Sequence, residues 1–384
     1  MHLVDVTLFY SPTSGGVKRY LNAKHQWLTT HTSALHTILV PGEQTLLQPG
    51  GVSTLAGCKV PGTFNYRLPL NTSRWIDLLN ALEPDAIEVG DAFHTAWAAW
   101  RVAQRRGIPL VAFYHSNLPQ LVGRRYGATL EREVARYVRW LYSRFDCVFA
   151  PSRFMCDYLD SIGVANTALQ PLGVDSDVFH PARRTRDLRA ELGLPRESRL
   201  LVYAGRFSDE KNIGVLQDAF DRLGDPYYLL LIGGAERRAR SRNVLAIPYR
   251  RDSAELATWL ASADALVHAG TEETFGLVIL EAMACARPVV ATRASAVPEL
   301  VSDDVGVLAR PHDAGSLAEA IVSLYERDLD ALGRAARRRV LERFTWARAL
   351  SAQLATYASL SDTSHASWTS SNTVSFPLRS PTAT

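Results

Sequence analysis

Short apolar runs alternate with amphipathic helical stretches along almost the whole chain, and no other feature limits the fold as strongly. Residues 3–10, Ala86–Val89, Pro109–Phe113, Cys147–Ala150 and Thr167–Pro171 read as buried strands. Between them, Val17–Leu28, Trp75–Leu82, Thr95–Gln104 and Leu130–Arg144 place apolar residues at helical spacing. Strands separated by helices pair in parallel, with helices covering both faces of the sheet. A second series begins at Leu200. LLVYAG, Tyr227–Ile232, Val244–Pro248, Ala265–Val267 and Val289–Ala291 read as strands, with helices at Ala254–Ser262, Ala314–Arg327 and Leu329–Arg343. At 384 residues and 47% hydrophobic, the chain can build two cores. The expected class is α/β: two Rossmann-like, doubly wound parallel-sheet domains, over 1–180 and 181–345. The polar, Arg-rich stretch 182–198 reads as the linker. A last helix is expected over 346–360. Residues 361–384 are rich in Ser and Thr and read as a disordered tail.

A net charge of +3 is too small to imply a nucleic-acid partner. Four cysteines (58, 147, 156 and 285) show no paired or metal-binding spacing, which predicts free thiols in a reducing compartment. The first residues, MHLVDVTLFYSP, are too short and too polar for an export signal, and no run approaches the ~20 apolar residues that span a bilayer. The chain is expected in the cytoplasm, or held peripherally on the inner membrane face. Basic residues are almost all Arg. Lysine occurs only at 18, 24, 59 and 211, which makes Lys211 stand out.

The most informative stretch is Gly270–Thr292, GTEETFGLVILEAMACARPVVAT. A polar loop opens through Phe275, Gly276 and Leu277 into an apolar helix, and a loop entering a helix leaves free N–H groups as an anion site. Glu273 lies in the loop. Glu281 lies inside the apolar run, where a carboxylate needs a partner. Neighbouring backbone or an arginine would satisfy it. So would the paired hydroxyls of a sugar or ribose. Upstream, Arg206 stands at the exit of LLVYAG and Lys211 opens the next helix. Two cations flanking one strand-to-helix mouth suit a diphosphate, Arg as a fork and Lys as a point charge.

The first half offers weaker candidates. Ser11–Gly16 is a Gly-containing turn between a strand and a helix, with Lys18 just inside. His115 follows the strand LVAFY, and ligands collect at such strand ends. Arg132, Arg136 and Arg139 share one face of the 130–144 helix, preceded by Arg124 and Arg125. With Tyr137 and Trp140 they form either a solvated face or a surface for an anionic membrane.

Together these strings resemble the retaining GT-B glycosyltransferases of group 1 and family 4. Glu273 and Glu281, with Phe275-Gly276-Leu277 between them, match that family's paired-glutamate motif. GRFSDEKN matches its diphosphate-binding string, and Gly173–Pro181 its interdomain stretch, in which Asp175 is structural. YHSNLP followed by RRYG looks like the lipid-directed branch. Ala286 departs from the pattern, where the family usually has Gly.

The resemblance implies two domains facing a cleft and a C-terminal helix crossing back to the first. It implies a nucleoside-diphosphate sugar as donor, with Arg206 and Lys211 on the diphosphate. Glu281 would then hold the ribose and Glu273 the transferred sugar, with the segment near Ile247-Pro248 beside the base. Gly16 would border the phosphates and the acceptor, and His115 would lie beside the transferred sugar. The reaction implied moves a hexose, from GDP-mannose or a UDP-sugar, to a lipid or glycan hydroxyl with retention and with no metal or other cofactor. A dinucleotide-dependent oxidoreductase would need G-x-G-x-x-G early, and neither Gly15-Gly16 nor Gly233-Gly234 fits. A non-catalytic sugar-binding protein of two lobes is the other alternative, and would bind sugar without dependence on nucleotide.

Overall fold

Parallel strands covered on both faces are continuous apolar runs, and the chain uses such runs to build two sheets. The computed structural model describes residues 1–10, 15–61, 66–234, 241–250 and 252–365. They divide into two units, Met1–Pro171 with the chain from Trp346, and Leu172–Thr345. The change of unit falls nine residues before the boundary expected at 180/181.

The first unit runs β1 (His2–Val6), α1 (Gly16–His31), β2 (Leu35–Gly42), β3 (Val52–Ala56), a ribbon of β4 (Cys58–Lys59) and β5 (Arg67–Leu68), α2 (Thr72–Leu82), β6 (Ala86–Val89), α3 (His94–Arg106), β7 (Leu110–Phe113), α4 (Leu118–Tyr126), α5 (Ala128–Tyr142), β8 (Cys147–Ala150), α6 (Arg153–Ser161) and β9 (Thr167–Leu169). Its seven-stranded sheet has the order β3-β2-β1-β6-β7-β8-β9, parallel throughout. Val4, Val6, Ile87, Val89 and Ala112 pack beneath the helices as its core. The Ser152 hydroxyl caps α6 by accepting from Met155 N–H at 3.2 Å, as its position before the helix suggests.

The second unit runs α7 (Leu188–Glu191), β10 (Arg199–Ala204), α8 (Ile213–Leu223), β11 (Tyr227–Ile232), β12 (Val244–Ile247), α9 (Ser253–Ser262), β13 (Ala265–His268), α10 (Leu277–Ala284), β14 (Val289–Thr292), α11 (Val297–Leu300), β15 (Gly306–Ala309), α12 (Ala314–Tyr325) and α13 (Leu329–Arg343). Its six strands are parallel in the order β12-β11-β10-β13-β14-β15. Asp175 Oδ1 accepts from the N–H groups of Asp177 and Val178, a turn made within the Asp-x-Asp segment itself.

α14 (Trp346–His365) returns to the first unit and packs on α1. It continues through Ser361–His365, so the disorder expected from residue 361 does not begin there; 366–384 lie outside the described residues. Among the described residues no helix is long and apolar enough to cross a membrane.

Both sheets reverse their winding once, between β1 and β6 and between β10 and β13. Crevices open at the carboxyl ends of strands flanking such a reversal, and ligands of doubly wound sheets sit there.

Candidate active site at the strand ends of the second sheet

The reversal between β10 and β13 brings two loops together. After β10 the chain passes Arg206 and makes a short turn, Asp209–Lys211, before α8. After β13 it passes Gly270 and Glu273 before α10. Thr271 N–H donates to Glu210 O at 3.1 Å, and Asn212 Nδ2 donates to Ala269 O at 3.0 Å. These bonds join the loops and fix the backbone that carries the charged groups.

Lys211 Nζ donates to Glu273 Oε1, and His268 Nε2 meets the same oxygen at 2.8 Å. The side chains of Lys211 and Glu273 are 16% and 13% exposed, so water screens the pair only in part. Burial alone would push the Glu273 carboxyl up. Lys211 and the His268 hydrogen bond outweigh it and hold the group well below the usual carboxylate range. His268 is buried and its ring lies parallel to that of Tyr203, 5.9 Å away. Gly270 leaves room for the contact of His268 with Glu273. A Cβ there would come within 2.6 Å of His268 Nε2.

Gly276 sets the approach to α10. Its φ of +105° is one that other residues rarely adopt, and no side chain caps the helix. The first N–H groups of α10 therefore carry the positive end of the helix dipole with no cap in the way. Phe275 is buried and meets Phe344 edge-on at 6.0 Å, so what it presents to the loop is backbone. Glu281, one turn into the helix, is 2% exposed.

The structure thus brings Lys211 and Glu273 into direct contact within this unit. Arg206 differs from the fixed clamp that its spacing suggests. Its side chain is 75% exposed, and its nearest carboxylate, Glu210, lies at 3.9 Å. Sequence reasoning missed His268 and Tyr203. The available clue was a histidine ending an otherwise apolar strand, the same clue that singled out His115.

The other candidates belong to the first unit. Gly16 is the exposed first residue of α1, a helix that no side chain caps; Ser11–Ser14 of the same loop lie outside the described residues. His115 follows β7 and stacks on Phe113, with ring centres 4.3 Å apart and planes 9° apart. Burial drives its imidazole down to about 3, so the ring is neutral at ordinary pH. The arginines on α4 and α5 do not all form one stripe. Arg136 pairs with Glu133 at 2.6 Å, and Arg139 lies against Gly163, where a Cβ would come within 2.9 Å of its Nε. Arg124, Arg125 and Arg132 are exposed.

Comparison with known proteins agrees with this geometry. The family model described as "Glycosyltransferase Family 4" matches residues 14–178, and that described as "Glycosyl transferases group 1" matches 198–327. A GDP-mannose-dependent alpha-(1-6)-phosphatidylinositol dimannoside mannosyltransferase of Mycobacterium tuberculosis is 34% identical over 378 residues, covering 94% of this chain and 97% of its own. Among solved structures, sucrose-phosphate synthase from Thermosynechococcus elongatus superposes with a TM-score of 0.79 at 22% identity, over 94% of this chain and 99% of that one. Anabaena Alr3699/HepE in complex with UDP-glucose gives a TM-score of 0.74 at 20% identity, over 94% and 100%. The chain belongs to the glycosyltransferases of group 1 and family 4, and its fold is that of the GT-B enzymes.

Proposed function

We propose that this glycosyltransferase moves a mannosyl group from GDP-mannose to a hydroxyl of a lipid-linked acceptor, with retention at the anomeric carbon. The observation that carries the proposal is the Lys211–Glu273–His268 cluster beside the uncapped start of α10. The donor preference is taken from the mannosyltransferase similar to this chain over almost its full length.

In this reading the bond from the anomeric carbon to the phosphate oxygen breaks, and the diphosphate leaves with the electron pair. The acceptor oxygen bonds to the same face of the carbon, and its proton passes to the departing phosphate. Negative charge grows on the diphosphate as it leaves. Lys211, Arg206 and the N–H groups of Gly276 and Leu277 meet that charge, and so lower the barrier more than they stabilise the bound donor. Glu281 takes the ribose hydroxyls and Glu273 those of the mannose. Gly16 and His115 serve the acceptor and the transferred sugar. Charge stabilisation of this kind assigns no step to a metal. Arg124, Arg125 and Arg132 are assigned to an anionic membrane surface, with Arg136 beside them.

The test is transfer from GDP-mannose, UDP-glucose and UDP-N-acetylglucosamine to phosphatidylinositol mannosides in mixed micelles, with the product's anomeric configuration read by NMR. An α-linked mannoside formed from GDP-mannose is expected. Transfer from a UDP-sugar alone would overturn the donor, and a β-linked product would overturn retention. Loss of activity with chelator, restored by magnesium, would overturn the metal-free step.

A further inference from the structure

Beneath the strand ends of the first sheet lies a buried polar network that the proposed reaction does not use. β1 and β6 are apolar runs broken by one carboxylate each, Asp5 and Glu88, which face each other in register. Lys24 on α1 is 1% exposed and lies 2.8 Å from Asp5 Oδ1 and 3.1 Å from Glu88 Oε1. α14 completes the network, because Gln353 Nε2 donates to Glu88 Oε2 at 2.8 Å and the Tyr357 hydroxyl donates to the same oxygen. Two carboxylates, an ammonium and two tyrosines in such a place are tolerated because each polar group has a partner.

Tyr20 is where this network meets the strand ends. Its hydroxyl donates to Glu88 Oε1 at 2.6 Å and accepts from Gln353 Nε2 at 2.6 Å. A phenol has one proton to give, so one bond given and one received fix the hydroxyl's direction and the ring's tilt. The ring centre lies 5.1 Å from that of His115 and 4.8 Å from that of Phe113. His115 is thus held by two rings, one of them anchored through its hydroxyl to Glu88 of β6 and to Gln353 of α14.

We propose that Tyr20 is a positioning residue for His115, fixed by Glu88 of β6 and Gln353 of α14. The inference rests on the reading of His115 as the group beside the transferred sugar. It assigns the returning helix a part in the reaction beyond closing the fold, since α14 holds the residue that sets the imidazole's angle.

Tyr20→Phe tests it, because the ring remains and only the hydroxyl goes; Lys24 and Gln353 still satisfy Glu88, so the unit is expected to fold. With GDP-mannose and phosphatidylinositol mannosides, kcat should fall about tenfold, the order expected when a reacting group is slightly misplaced. KM for GDP-mannose should stay within twofold. In the His115→Gln background the same change should cost little, because two residues acting through one group are not additive. The His115 ring signals in 15N-labelled protein, assigned by their loss in His115→Gln, should shift and broaden in Tyr20→Phe. An unchanged kcat in Tyr20→Phe, or a loss that simply multiplies with that of His115→Gln, would overturn the proposal. If His115→Gln itself leaves kcat intact, the reading of His115 falls instead. The ring signals then still decide whether Tyr20 holds it, and unchanged signals would overturn that too.

Discussion

Lys211 and Arg206 carry the same charge into the same mouth, but the structure predicts unequal losses when each is replaced by Met. Lys211 is already in place, with its ammonium on Glu273 and its stem mostly buried. A unit charge about 4 Å from another, at the effective dielectric of a protein surface, is worth about 4 kcal/mol. Losing one fixed donor from a growing negative charge costs about 3–4 kcal/mol, or about 10²- to 10³-fold in kcat. Arg206 starts from a different state, 75% exposed and without a close partner. Ordering a long side chain on binding costs up to about 2 kcal/mol. Of a similar gross attraction, about 1–2 kcal/mol then remains, a factor of about 5 to 30, seen mainly in KM for the donor. Steady-state transfer and calorimetric titration with GDP separate the two effects. Lys211→Met also leaves Glu273 with His268 as its remaining partner, so a loss of stability of about 1–3 kcal/mol is expected. Thermal melts must show a folded protein before the kinetics are read. A kcat for Lys211→Met within threefold of the parent, or a larger kcat loss in Arg206→Met, would refute the argument.

Three further outcomes are expected. The depressed Glu273 carboxyl contributes stability that is present above its ordinary value of 4.5 and is lost as pH falls toward its folded value, because the unfolded chain binds the proton first. Lys211→Met should therefore flatten the acid side of a stability-against-pH curve measured by denaturant titration, and an unchanged acid slope would remove Lys211 as the cause. Ala286 has φ of +56°, which costs a non-glycine residue about 1–2 kcal/mol, whereas glycine costs about 0.4–1 kcal/mol through the unfolded chain. Ala286→Gly should thus stabilise the protein by about 0.5 kcal/mol in chemical denaturation, and a destabilised variant would show that the strain is relieved some other way. Tyr357→Phe removes a buried hydroxyl shared by Glu88 and Lys24, and should destabilise the first unit by about 1–3 kcal/mol; a stability unchanged within 0.5 kcal/mol would mean that water replaces it.

The second sheet was legible almost strand for strand, because YYLLLI, ALVH and VVAT have no reading other than buried parallel strands. The first sheet was less so. β2 carries His36 and Thr37, both fully buried, and β3 is a short edge strand with the pattern VSTLA, so neither has a clean period. α4 has a proline as its second residue and contains a glycine and two arginines. Its start is fixed by the Asn117 side chain, which accepts from Gln120 N–H, a cap that a string read for apolar spacing passes over. The end of α14 was set too early because Ser and Thr are common in tails, yet at Ser361 the hydroxyl donates to Tyr357 O one turn back and the helix continues.

The site was legible as a set of residue types but not as a charge balance. Arg206, Lys211, Glu273 and the entry to α10 could be located by spacing. Spacing could not show that Lys211 is neutralised across 62 residues by Glu273, or that Glu210 lies within 4 Å of Arg206. The two cations face two carboxylates, and the same loops also carry Asp209 and Glu272, so bulk attraction by the side chains does not explain an affinity for a diphosphate. What the arrangement supplies is direction. Glu273 holds the ammonium, which then needs little further ordering to meet a phosphate, and the dipole of α10, whose start no side chain caps, adds about half a positive charge. A carboxylate beside a cation therefore fits an anion site when it fixes the cation's position and keeps its own negative charge behind it. The His268 contact and the room left by Gly270 hold Glu273 in that place.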